Sequence, residues 1–192
     1  MRIPTDAEIR ALHERAAPTP EAFDLVYTHC EIVARIAGQL MALRAHDADP
    51  ALVRAGCLLH DIGVYRLGPA EAYIRHGLLG HELLTDLGFP ETLARFCSHH
   101  TGVGLTRGDV HSQSLPLPPA DYLAETPHER LVMYADKFHS KSTPPRFVTA
   151  ETYTASVSDF GADKAELFAK MVAEYGEPDL RALAEEYGHM MV

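Results

Sequence analysis

Apolar residues recur along most of this chain at spacings of three and four, the period of a helix with one buried face. No segment alternates apolar and polar residues between hairpin turns, so the pattern predicts an all-α fold. Thr5 and Glu8 have the spacing of a capping box and open a first helix over about residues 6–16. Pro18-Thr19-Pro20 ends it and starts a second, with Thr19 as the cap and Pro20 in the first turn. That helix runs to about Arg44 and carries the stripe Leu25, Val26, Ile32, Val33, Ile36 and Leu40, with His29 inside it. Asp49-Pro50 opens a third helix that ends near Gly63, read as a left-handed C-terminal position, so His60 and Asp61 fall in its last turn.

Residues 71–87 and 90–100 give two more helices, divided by Gly88-Phe89-Pro90, and the second ends on His99-His100. Thr126-Pro127-His128-Glu129 is another capping box, and its helix carries Asp136. Residues 150–157 are ambiguous, whereas 162–175 and 178–189 have helical periodicity. The stretch of about 25 residues between Thr101 and Thr126 is rich in Gly and Pro. It exceeds the roughly 12–15 residues beyond which structureless loops are uncommon, and reads either as a lid or as a surface excursion.

At 192 residues the chain fits one domain, since domains run to about 100–200 residues. Apolar residues make up 46% and charged residues 23%, ordinary values for a folded protein. The formal charge of −10 argues against a long nucleic-acid groove or an anionic membrane surface, and a phosphate-bearing partner would need help from a cation. Nothing approaches the roughly 20 apolar residues of a membrane span, and the first residues lack a secretory apolar core, so the expected location is cytoplasmic. Cys30, Cys57 and Cys97 form no CxxC pair and read as small buried hydrophobes.

The chemistry is to be sought among twelve histidines. A lone histidine on an apolar face, such as His29, is ordinarily a hydrogen-bonded core residue. His60-Asp61 changes the reading, because adjacent helical residues diverge by about 100° and only a helix end lets both converge on one ion. Asp136, in a largely apolar helix, is a second carboxylate that needs either a cation or a salt bridge. His29, His60, Asp61 and Asp136 from three helices would make one ligand set suited to divalent iron, manganese, cobalt or zinc, with magnesium also compatible. A second set follows. His76 is preferred over His81 because Gly80 lets another backbone approach its face, and His99, ahead of its neighbour His100, occupies a helix end; these could bind a second ion bridged by Asp61.

The order His29, His60-Asp61 and Asp136, within Leu58-Leu59-His60-Asp61-Ile62-Gly63 and Tyr134-Ala135-Asp136-Lys137, resembles the HD-domain superfamily of metal-dependent phosphohydrolases, in its HDIG form. The resemblance covers about residues 22–142, and Leu115 through Lys141 is similar to a block found in uncharacterised HD hydrolases. It implies a helical bundle in which His29, His60, Asp61 and Asp136 hold one metal, and Asp61 bridges to a second held by His76, His99 and His100. The implied activity is hydrolysis of a phosphomonoester or phosphodiester, in a nucleotide, by a metal-activated water. Asp61 and Lys137 are the candidate catalytic residues. Lys137, Arg107 and Arg66 are candidates to hold phosphate, Arg66 because Val64 stands where many relatives carry lysine. A Gly-Tyr-Pro is missing after His99-His100, which disfavours a cyclic-di-GMP substrate. Two other readings stay open: a di-iron oxygenase on the same ligand order, and a metal- or nucleotide-binding regulatory module without turnover. An oligomer is compatible with either.

Overall fold

The computed structural model describes residues 2–44 and 47–192. Among these residues there are ten α-helices and three two-residue strands, so the fold is all-α with one minor sheet. Helix α1 (Asp6–Ala16) carries the Thr5–Glu8 capping box, and α2 (Pro20–Leu43) is capped by Thr19 with Pro20 in its first turn. At 24 residues, α2 is about 36 Å long and runs through the centre of the molecule. Val26, Ile32, Val33, Ile36 and Leu40 are buried along it, whereas Leu25 is 39% exposed and lies off the stripe. Around α2 pack α3 (Pro50–Leu59), capped by Asp49, and α7 (Pro127–Asp136), which has the Thr126–Glu129 capping box. Burying a Leu or Ile side chain contributes about 1.5–3 kcal/mol, so this apolar contact holds the three helices that carry His29, His60 and Asp136.

Helix α3 stops at Leu59, and a short 3₁₀ turn follows over Ile62–Arg66. Gly63 lies inside that turn rather than in a left-handed position, which corrects the reading of it as a helix terminator. Its glycine is required for a different reason. A Cβ there would collide with the His76 carbonyl oxygen and the Gly80 backbone nitrogen of α4 (His76–Asp86). At Gly80 a Cβ would in turn stand 2.9 Å from Cys97 Cβ, in α5 (Glu91–Ser98). Close backbone packing between Gly63 and Gly80 draws α4 against the turn that follows Asp61, and the Cys97 side chain seats α5 on α4. The segment before α4 is a 3₁₀ turn, Tyr73–Arg75, so this helix starts later than the periodicity predicts.

The long 101–126 connection is partly ordered. It contains α6 (Arg107–Ser112), a backbone bridge between Leu105 and Tyr122, and an ion pair from Asp109 to Lys164 at 2.6 Å. Residues 150–157, ambiguous from periodicity, form α8 (Ala150–Val157), capped by Thr149. Helices α9 (Ala162–Tyr175) and α10 (Arg181–Tyr187) follow. After α7 the chain makes β1 (His139–Ser140) antiparallel to β2 (Arg146–Phe147), and the last residues add β3 (Met190–Met191) parallel to β2. Strands this short leave no period-2 signature, and the sequence pattern did not predict them. Among the described residues no helix is long and apolar enough to cross a membrane.

Candidate metal centre

His29 from α2, His60 and Asp61 from the end of α3, and Asp136 from the last turn of α7 meet at one point. His29 Nε2 lies 3.0 Å from Asp136 Oδ1, 3.1 Å from Asp61 Oδ2 and 3.2 Å from His60 Nε2. His60 Nε2 is 3.4 Å from Asp136 Oδ1 and 3.5 Å from Asp61 Oδ2. Donors held about 2.0–2.2 Å from a common ion would stand roughly 2.8–3.6 Å apart, so these spacings fit a transition-metal ion. The other Asp61 oxygen faces a second group, with Oδ1 3.3 Å from His76 Nε2 and 3.6 Å from His100 Nε2, which are themselves 3.0 Å apart. Among the described residues, Asp61 Oδ1 is buried and accepts no hydrogen bond. An ionised oxygen in that condition is costly unless a cation answers it.

The ring orientations favour the same use. His60 Nδ1–H donates to the Cys57 carbonyl at 2.6 Å, His76 Nδ1–H to the Tyr73 carbonyl at 2.7 Å, and His100 Nδ1–H to the Phe96 carbonyl at 3.0 Å. A carbonyl can only accept, so in each neutral ring the proton sits on Nδ1 and Nε2 presents a lone pair to the cavity. His29 differs: its Nδ1 lies 2.8 Å from His139 Nδ1, and His139 Nε2 lies 3.0 Å from His189 Nδ1.

Charge in the cluster is strongly coupled. Burial opposes ionisation of Asp61, but Lys141 and His60 outweigh it and hold the carboxyl well below its usual range. At Asp136, burial is likewise overcome by Lys137 together with His29 and His60. His60 is held well above the usual imidazole range against its burial, mainly by the Asp61 charge. Burial, helped by the neighbouring His60 and His76, pushes His100 well below that range, and burial also lowers His76. Lys137 Nζ donates to Asp136 Oδ2 at 2.7 Å and to the His100 carbonyl at 2.9 Å. Lys141 Nζ contacts Asp61 Oδ2 and lies over the Tyr73 ring. Both lysines stay charged, because the carboxylates outweigh burial.

His29, Asp61, His76, His100 and Asp136 line a cavity of about 710 Å³ whose wall also includes Lys137, Lys141 and Arg146. The wall is cationic although the chain as a whole is at −10. An apolar annex of about 250 Å³ adjoins it, sharing Ile74, Thr101, Gly102, Tyr153 and Ser156, and is closed by Leu105, Leu115, Val157 and Phe160. The 101–126 connection thus forms one wall of the annex.

Three expected residues lie elsewhere. His99 caps α5 and turns the other way from His100, its Nδ1 2.6 Å from Ser98 Oγ and its ring beside Tyr122. Successive residues at a helix end still diverge by about 100°, and only one of the pair reaches Asp61. Arg66 pairs with Asp86 at 3.3 Å and Arg107 is exposed at the start of α6; neither lines the cavity. His81 bonds Ser98 and Glu91 away from the cavity. Conversely, the sequence reading missed Lys141, Arg146, Tyr153, His139 and His189. The one available signal was that His139 and Lys141 follow Asp136 closely, at a spacing that puts both on one side of an extended segment.

Residues 26–141 match the family model described as HD domain. Over 114 residues the chain is 41% identical to the uncharacterized protein MJ0778 of Methanocaldococcus jannaschii, a match covering 58% of this chain and 64% of that protein. It is 36% identical over 122 residues to a tRNA (cytidine(56)-2'-O)-methyltransferase of Picrophilus torridus, covering 62% of this chain and 33% of that one. The corresponding Thermoplasma volcanium enzyme is 31% identical over 115 residues, with 60% and 32% covered. The chain therefore spans less than two thirds of the length of each of these relatives. Among solved structures, the HD domain of the L. monocytogenes phosphodiesterase PgpH is similar. Alone it gives a TM-score of 0.48 at 16% identity, covering 96% of this chain and 88% of that one. In complex with cyclic-di-AMP it gives 0.45 at 19%, covering 87% and 96%.

Proposed function

The chain belongs to the HD-domain family, a family of metal-dependent phosphohydrolases, and from that premise we propose that it hydrolyses a phosphate ester of nucleotide type with an activated water. The observation that carries this reading is the Asp61 carboxylate: one oxygen joins His29, His60 and Asp136, and the other, lacking a hydrogen bond, faces His76 and His100. His29, His60, Asp61 and Asp136 would hold one divalent ion, and Asp61, His76 and His100 a second. Bound there, iron, manganese, cobalt or zinc would lower the pKa of a coordinated water toward about 7 and draw charge from phosphoryl oxygens.

The side chains supply the rest. Lys137 is fixed by Asp136 and the His100 carbonyl, and of the three N–H groups on an ammonium one remains for a phosphoryl oxygen. Lys141 stands against Asp61 and the Tyr73 ring, and Arg146 lies at the rim, so an anionic substrate meets three cations on entry. Asp136 and Asp61 orient the imidazoles between them. The apolar annex suits the base of a nucleotide, which can lie against Tyr153 and Phe160 while its phosphate remains among the lysines.

The test is elemental analysis of protein purified without chelator, followed by a screen of nucleotides and simple phosphate esters with manganese, iron, cobalt, zinc and magnesium. The proposal expects bound transition metal and metal-dependent phosphate or nucleotide release under argon. Oxygen consumption by reduced iron-loaded protein without phosphoester cleavage would instead establish the oxygenase reading. Metal and nucleotide binding without product over hours would establish the regulatory one.

A further inference from the structure

We propose that His139 and His189 position His29, a line of three imidazoles determining which of its nitrogens faces the carboxylates. The inference rests on the metal reading above and extends it to two residues far from Asp61 in sequence. A neutral imidazole has one N–H and one lone pair, so the two ends of the ring cannot choose independently. For His29 Nε2 to offer its lone pair beside Asp61 and Asp136, its Nδ1 must carry the proton and find an acceptor. His139 Nδ1, 2.8 Å away, is that acceptor. His139 must then carry its own proton on Nε2, which donates to His189 Nδ1 at 3.0 Å.

The ring planes suit this relay. His29 and His139 meet edge to edge and near-coplanar, with centroids 5.1 Å apart and planes at 28°, and so do His139 and His189, with 5.2 Å and 21°. His139 is also fixed from the side by the edge of Phe147 at 4.9 Å. The small sheet brings the three rings together. His139 is opposite Phe147 in the β1–β2 pair, Met191 is beside Phe147 in the β2–β3 pair, and His189 directly precedes β3. Gly188, at φ +65°, turns the chain out of α10, and the His189 N–H then donates to the Ala184 carbonyl. The tail is tied down by Val192 N–H to Phe147 O and Thr149 N–H to Val192 O. Residues 189–192 therefore belong to the frame of the candidate metal centre.

The test is a calorimetric titration of metal-free protein with zinc. His139→Phe keeps an aromatic ring against Phe147 but cannot accept a hydrogen bond, and zinc binding should weaken about 10–100-fold, the usual effect of losing an orienting partner. His139→Asn returns an acceptor oxygen near the position of Nδ1 and should recover most of the affinity. His189→Ala, on the half-buried tail, should weaken binding by less than His139→Phe, and thermal melts would establish that each variant is folded. Unchanged affinity in both His139→Phe and His189→Ala would overturn the inference. Equal weakening in His139→Phe and His139→Asn would also overturn it, since the ring would then be acting through packing alone. If the wild-type chain binds no zinc, manganese or cobalt, the metal reading itself fails.

Discussion

Four imidazoles surround the Asp61 carboxylate, and they are held in two different ways. His60, His76 and His100 each donate Nδ1–H to a backbone carbonyl three or four residues earlier, so the helix end or turn that presents the ring also orients it. His29 sits in the middle of α2, where the helix's own carbonyls are used by its backbone, and its Nδ1 partner lies 110 residues away. Local anchoring makes a ring's orientation a property of a short segment. Remote anchoring makes it a property of the whole fold, here of a sheet built from the last residues of the chain.

The largest effect should come from the one residue that joins both groups. Asp61→Asn removes the charge from the carboxylate shared between them, and is expected to lower zinc affinity by more than about 100-fold and to abolish phosphoester cleavage. Calorimetry and phosphate release measure the two effects.

His13 provides a contrast with the cavity histidines, because both its nitrogens are occupied. Nε2–H donates to the Leu58 carbonyl at 2.8 Å, and the Tyr65 hydroxyl lies 3.0 Å from Nδ1. Burial pushes its pKa down to about 4, whereas an unfolded imidazole protonates near 6.5. The unfolded chain thus binds a proton first as pH falls. The stability that His13 confers is complete above about pH 6.5 and is lost between there and about pH 4, by about 3 kcal/mol. Denaturant melts of metal-free protein should therefore lose about 3 kcal/mol less over that interval in His13→Asn than in wild type. Equal losses would assign the acid sensitivity to other groups.

The annex should show a smaller and more selective response. Ser156 is exposed where the two cavities join, and Ser156→Phe is expected to raise KM for a nucleotide about tenfold while leaving a small phosphate ester unaffected. Parallel kinetics on both substrates measure the split. The smallest effects belong to Arg66→Ala and Arg107→Ala. Both side chains lie outside the cavity, and kcat/KM should change less than about twofold.

This division between local and remote also separates what could be read in the sequence from what could not. The helix starts at Thr5, Thr19, Asp49 and Thr126 are legible because a cap and its helix are neighbours in the chain. His60-Asp61 is legible because a helix end is. Gly80 pointed correctly to a close backbone approach, but Gly63 was assigned a left-handed turn when its real constraint is the carbonyl of His76 across the interface. The sequence puts His99 ahead of His100 and the structure reverses that order, since the rotation that selects His100 depends on how α5 is docked. Lys141 and the pair His139 and His189 depend on strands two residues long, which sequence periodicity cannot register.

The most direct measurement is anomalous diffraction from crystals grown with zinc. The account predicts a peak among His29 Nε2, His60 Nε2, Asp61 Oδ2 and Asp136 Oδ1, and a second where Asp61 Oδ1 faces His76 and His100. Zinc-loaded crystals with no peak on either side of the Asp61 carboxylate would contradict it.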